Sequence, residues 1–150
     1  MVNYQNGKIY KIEDVGGNMC YIGSTTKDFL SKRMVQHRTM YRHWKEHNTK
    51  IKYSVFSIFD LYEIDNCRIV LIELYPCDTK DQLTSREAFY IKQNNCVNRV
   101  IPGRTQKQYA LDNKEYIKEL QKDYYDDNKQ QYKQYYNDNK EHICAKKAEK

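Results

Sequence analysis

Six polar residues in the first hundred have side chains that do chemistry when they converge: Tyr10, Tyr21, Arg33, His37, Glu87 and Asn98. A guanidinium is a planar fork of donors suited to oxyanions. An imidazole takes up and releases protons near neutral pH. A phenol does so only when its neighbours lower a pKa that starts near 10. A lone carboxylate accepts protons or binds hard cations, and an asparagine hydrogen-bonds in both directions. Arg33 and His37 are four residues apart, so on a helix they share a face one turn apart. Taken singly, each residue has a plainer explanation. Tyrosine suits a half-buried strand, an arginine beside a core stripe snorkels outward, and a lone glutamate in mid-helix is usually solvated. The ordered series is what calls for a common account.

The elements that would position these residues can be read from the pattern. KIYKI and MCYIG, separated by EDVGGN with Gly16 and Gly17, predict a β-hairpin with strands near 8–13 and 18–23. Thr25 or Thr26 is then the expected N-cap of a helix. Along that helix Leu30, Met34, His37, Tyr41 and Trp44 recur at helical spacing and form the inner face, with Trp44 read as core. Lys27, Lys32, Arg38, Arg42 and Lys45 fall on its other faces. Residues 53–62 favour a short helix. RIVLIELY predicts a strand at 68–75, covered on both faces and ended by Pro76. Thr79 with Gln82 makes a capping-box pattern for a further helix that buries Leu83, Phe89 or Tyr90, and Ile91. The expected fold is α/β of the α+β kind: a three-stranded antiparallel sheet flanked by helices, with a C-terminal helical extension. Pro102-Gly103 marks a boundary between a domain at 1–103 and a tail at 104–150.

The chain has 150 residues, a net charge of +6, a pI near 8.9 and a mean hydropathy of −1.01. A polyanionic partner suits that charge. No apolar run approaches the roughly 20 residues that span a bilayer, so no membrane partner is expected. The N-terminus lacks a signal-peptide core, and the five cysteines (Cys20, Cys67, Cys77, Cys96, Cys144) lack zinc-ligand spacing. The expectation is free thiols, no zinc, and an intracellular reducing location in cytoplasm or nucleus. The tail contains neither Gly nor Pro and repeats itself as YALDNKEYIKE, YYDDNKQQYKQ and YYNDNKEHICA. Its tyrosines return to roughly one helical face, and it has too few aliphatics for a core of its own.

With Tyr10, Tyr21, Arg33, His37, Glu87 and Asn98 in that order, the sequence resembles the GIY-YIG nucleases. The second motif is complete as Tyr21-Ile22-Gly23, followed by Ser24-Thr25. The first is present as Lys8-Ile9-Tyr10, with Lys8 in place of the glycine and a glycine one place earlier, at Gly7. The resemblance covers roughly residues 7–103. It implies a DNA endonuclease that hydrolyses phosphodiester bonds, of homing, repair or structure-specific type. Glu87 would be the ligand of Mg²⁺, with Mn²⁺ as a substitute. Arg33 would clamp phosphate oxygens, and Tyr10 would orient and deprotonate the attacking water. Tyr21 and His37 would support the proton network, and Asn98 would hold part of the site by hydrogen bonding. A single carboxylate suits a one-metal centre whose other positions are water.

Lys8, Lys32 and Arg38 on the domain, and Lys114, Lys129 and Lys140 on the tail, are the expected nucleic-acid contacts. The three tail lysines share a register in the repeats. More loosely, the repeats resemble those appended to such nucleases in large DNA viruses. Two other readings remain: a DNA-binding module without catalysis, and an interaction protein that self-associates through its tail. The oligomeric state is left open by the sequence.

Overall fold

The computed structural model describes residues 2–47, 50 and 52–140. The chain divides into two units between Gly103 and Arg104. In the first unit a single 3-10 turn (Tyr4–Asn6) precedes β1 (Lys8–Asp14), β2 (Cys20–Thr25), α1 (Leu30–His47), α2 (Phe56–Tyr62), β3 (Cys67–Leu74) and α3 (Lys80–Gln93). The strands form one antiparallel sheet in the order β2-β1-β3, with helices against it, as the sequence predicts.

β1 is the central strand and is covered on both faces. Tyr10 and Ile12 pack with Met34, Tyr41 and Phe56 under α1 and α2. Ile9 packs with Ile22, Leu83 and Ile91 under α3. Each such burial contributes about 1.5–3 kcal/mol relative to exposure. The apolar run of β3 predicts that strand to be the doubly covered one. The structure instead places β3 at an edge, with Leu71 and Leu74 exposed, because β1 takes the central position between the other two strands. On α3 the buried residues are Leu83, Ala88 and Ile91, Tyr90 is half-buried, and Phe89 is exposed. The Thr79–Gln82 capping box is present.

Two local departures bear on the site. The helix expected to start at Thr25 or Thr26 begins at Leu30. Thr25 is the last residue of β2, and its hydroxyl accepts a bond from the Lys27 amide at 3.1 Å, which turns the chain before the helix. Next to Tyr10, the β1–β3 register slips: Ile9 faces Glu73 but Tyr10 faces Leu71, leaving Ile72 extra. A bulge re-aims the side chains beside it.

The hairpin turn is closed by Asp14. Burial would raise this carboxyl, but bonds from the Met19 amide at 2.8 Å and from Asn18 at 3.0 Å hold it below its usual range. Gly17 adopts φ +71°, which favours glycine. Gly7 answers a different demand: a Cβ there would overlap the Tyr75 carbonyl oxygen.

The second unit contains α4 (Gln106–Asp112) and α5 (Lys114–Asp138), with Thr105 capping α4 and Asn113 between the two helices. Cys144 and residues 141–145 of the third repeat lie outside the described residues.

Candidate active site

Antiparallel register fixes which side chains share a face. Tyr10 lies opposite Gly23, and Ile12 opposite Tyr21. Tyr10 and Tyr21 are therefore diagonal neighbours on the same face of the hairpin. α1 crosses that face and brings His37 against both rings, with ring centroids at 5.9 Å from Tyr10 and 5.7 Å from Tyr21. One turn earlier on α1 stands Arg33.

The Tyr10 hydroxyl is the centre of this group. It lies 2.7 Å from His37 Nε2, and its oxygen accepts a bond from Arg33 Nε at 3.0 Å. Burial holds the His37 pKa down at about 3, with the Arg33 charge adding to the effect, so the ring is neutral at physiological pH. With Nε2 bare, the neutral ring accepts the phenol proton while the phenol oxygen accepts from Arg33. Burial raises the pKa of Tyr10. Arg33 lowers it only in part, and Glu87 adds to the rise. The resting phenol is thus protonated, and Arg33 alone does not produce the activated base that the resemblance implies. Tyr10 has no exposed surface. The arginine bonded to its hydroxyl, Arg33, is half-buried. Tyr21 is also raised, chiefly by burial, and its hydroxyl makes no hydrogen bond among the described residues.

Glu87 approaches from α3. Ser24 on β2 donates to Glu87 Oε2 at 2.5 Å. Burial raises the Glu87 pKa, while the Ser24 bond and the Arg33 charge oppose the rise. Ser24 follows the YIG motif directly and lies across from Ile9, on the face that α3 covers. Strand alternation, which sets Ser24 on the face opposite to Tyr21 and Gly23, is the signal in the sequence for this contact. Asn98 pins the outer edge of β2: its Oδ1 accepts from the Ile22 amide and its Nδ2 donates to the Ile22 carbonyl, both at 2.8 Å. With Val97 N donating to the Cys20 carbonyl at 2.8 Å, residues 97–98 act as a substitute strand that holds Tyr21 and Gly23 in line.

Tyr10, Tyr21, Arg33, His37 and Glu87 are thus close enough to shift one another's ionisation, and Asn98 braces their strand. The basic residues are dispersed. Lys8 Nζ donates to the carbonyls of Asn6 and Lys27. Lys32 is exposed on α1, 3.6 Å from Asp28. Arg38, expected on the outer nucleic-acid face, turns instead to the carbonyls of Ile64 and Cys67, both at 3.3 Å, and its Nε is buried without a partner among the described residues. It buttresses the connection from α2 to β3. Lys114, Lys129 and Lys140 are exposed on the second unit.

Gly23 shows why the motif ends in glycine. A Cβ at that position would lie 2.6 Å from the Tyr10 hydroxyl and 2.7 Å from its ring carbon. Gly23→Ala is expected to displace the phenol and lower the cleavage rate by about 10²-fold, the penalty of a misplacement on the order of 1 Å. Nicking assays on the folded variant check this.

His37 gives a pH dependence of stability. An unfolded histidine titrates near 6.5, and the folded ring stays neutral down to about 3. The unfolded state therefore takes a proton that the folded state refuses. The associated stability is complete above about pH 6.5 and is lost as the pH falls toward 3. Urea melts at descending pH should show this slope, and His37→Gln should remove it.

Arg33, the Tyr10–His37 pair and Glu87 thus gather on the flanks of one small sheet. The GIY-YIG catalytic domain matches residues 6–99, and the chain belongs to the GIY-YIG family. Membership carries nuclease activity with DNA as substrate, and the family's nucleases generally use divalent metal ions. The match ends before the tail repeats. No curated protein and no solved structure matches the chain. No described helix is long and apolar enough to cross a membrane.

Proposed function

We propose that the protein is a Mg²⁺-dependent DNA endonuclease, with Mn²⁺ as a working substitute, that hydrolyses phosphodiester bonds at the Tyr10 centre. The observation that carries this reading is the Tyr10 hydroxyl held between Arg33 Nε and a neutral His37 Nε2.

A divalent cation fits the residues present. Glu87 is a half-buried hard oxygen donor beside a serine hydroxyl, and Mg²⁺ keeps most of its positions for water and phosphate oxygens. When bound, the cation neutralises phosphate charge and favours ionisation of water. The chain's own groups do the rest. Arg33 leaves the phenol for the incoming phosphate, which it clamps through its planar fork. That movement uncovers Tyr10. The phenol then orients the attacking water and takes its proton while passing its own to His37. Tyr21 packs edge-on against the imidazole and helps to hold the ring at Tyr10. Lys32, exposed on the same helix as Arg33, is read as a contact to the DNA backbone. Among the described residues Cys20, Cys67, Cys77 and Cys96 are free thiols, which supports action in a reducing intracellular compartment.

The test is cleavage of supercoiled, branched and linear DNA by the full chain with Mg²⁺, with Mn²⁺ and with EDTA. Nicking or linearisation that requires the metal supports the reading, and the preferred form separates a structure-specific enzyme from a site-specific one. DNA binding without any cleavage would make the chain a binding module.

A further inference from the structure

The second unit presents a helix without a covering layer. α5 has 25 residues and none is buried, nor is any residue of α4. Helices in water draw most of their stability from packing an amphipathic face. The repeats explain what that face is. The units 109–119, 124–134 and 135–145 are each eleven residues long, and residues 120–123 separate the first two. In each unit the asparagine bonds back to the carbonyl of the tyrosine four residues earlier: Asn113 to Tyr109 at 2.8 Å, Asn128 to Tyr124 at 2.7 Å and Asn139 to Tyr135 at 2.9 Å. The asparagines are spaced fifteen and eleven residues apart, close to four and three helical turns, so each unit returns roughly the same face.

On α5 that face is a stripe of Ile117, Leu120, Tyr124, Asn128, Gln131 and Tyr135, at steps of three or four residues. Charges divide across it. At 100° per residue, Lys114, Lys118 and Lys129 fall on one flank, and Glu119, Asp123 and Asp127 on the other. The helix as a whole carries five lysines and six acidic residues, a net charge of −1. A duplex laid along it would meet an acidic flank as well as a basic one, so the charge pattern does not favour DNA.

We propose that α5 pairs in parallel with α5 of a second copy of this chain. A two-fold axis parallel to the helices places the lysine flank of each copy against the acidic flank of the other. An antiparallel pair would set like charges together. That stripe closes between the helices, and its steps of three and four residues follow the α-helical repeat, which keeps the contact nearly straight. Two chains joined this way bring two nuclease domains to one DNA molecule and raise their effective concentration on it.

The test is the mass of the full-length protein by sedimentation equilibrium, measured with two flank-reversed variants. One variant is Lys118→Glu with Lys129→Glu, and the other is Glu119→Lys with Asp123→Lys. The wild type should have the mass of two chains. Each variant alone should have the mass of one chain, since both its flanks then carry the same sign. An equimolar mixture of the two should recover the two-chain mass, which also shows that both variants fold. A monomeric wild type overturns the proposal, as does a dimer that ignores flank charge. If the wild type is monomeric and Lys118→Glu with Lys129→Glu binds DNA with a shallower salt slope, the tail is a DNA-binding element instead.

Discussion

Tyr10→Phe is expected to lower metal-dependent nicking by about 10²–10⁴-fold, the usual contribution of a positioned proton-transfer group. The ring stays, so the packing with Met34 and Phe56 stays. What is lost is one oxygen that receives Arg33 Nε and pairs with His37 Nε2. DNA affinity should change little, because Arg33 remains free to meet a phosphate. Stability should fall by about 1–3 kcal/mol, since the imidazole nitrogen is left buried without its donor. That loss is tolerable against a typical 5–15 kcal/mol for a domain. Trp44→Phe is the control. Reading Trp44 as core makes it the more destabilising of the two changes. The structure reverses that order: Trp44 is half-buried, ring-on-ring with Tyr41 and Phe56, whereas the Tyr10 hydroxyl is enclosed and paired. Thermal midpoints and nicking rates of the two proteins check both statements. A Tyr10→Phe protein that nicks at the wild-type rate would return Tyr10 to the status of a strand residue.

The comparison of Tyr10 with Trp44 shows which parts of this molecule its sequence discloses. The hairpin, the α1 stripe and the Thr79–Gln82 cap are local patterns, each fixed by residues a few positions apart, and they are legible. The edge position of β3 is not local: it depends on which strand wins the centre, and an apolar run looks the same at either place. The site is legible as a list because Tyr10, Tyr21, Arg33, His37 and Glu87 resemble a known series. Its state is not. Whether the Tyr10 phenol is ionised depends on burial outweighing a nearby charge, and burial is a property of the assembled fold. Arg38 makes the same point from the other side. On α1 alone it is one more outward base, and only the arrival of residues 64 and 67 beside it turns its guanidinium inward. The partner of Ser24 is not legible in the sequence, because a serine after a motif carries no pattern until α3 sets Glu87 against it.

Glu87→Gln separates the metal-binding reading from a purely structural one. The amide has the shape of the carboxylate, and its oxygen still accepts the Ser24 hydroxyl, so the contact between α3 and β2 survives. The charge does not survive, and a neutral amide is a far weaker partner for a hard divalent cation. If Glu87 holds the cation, cleavage should fall by about 10³-fold or more, in the range of losing one preorganised charge-stabilising group. Raising the Mg²⁺ or Mn²⁺ concentration should recover part of that loss. The thermal midpoint should stay the same or rise, because burial already disfavours the charged form of this carboxyl. DNA binding without metal should be unchanged or tighter, since a negative charge near the phosphate has been removed. A structural role predicts the reverse set: a lower midpoint, proportionate loss of binding and activity, and no response to metal concentration. Ser24→Ala is the companion variant. It leaves the charge and removes one hydrogen bond, so its effect on rate should be at least an order of magnitude smaller than that of Glu87→Gln, by the usual gap between a neutral bond and a charged group. Equal effects of the two changes would mean that the Ser24–Glu87 contact matters as a clasp between β2 and α3, and that the cation is held elsewhere.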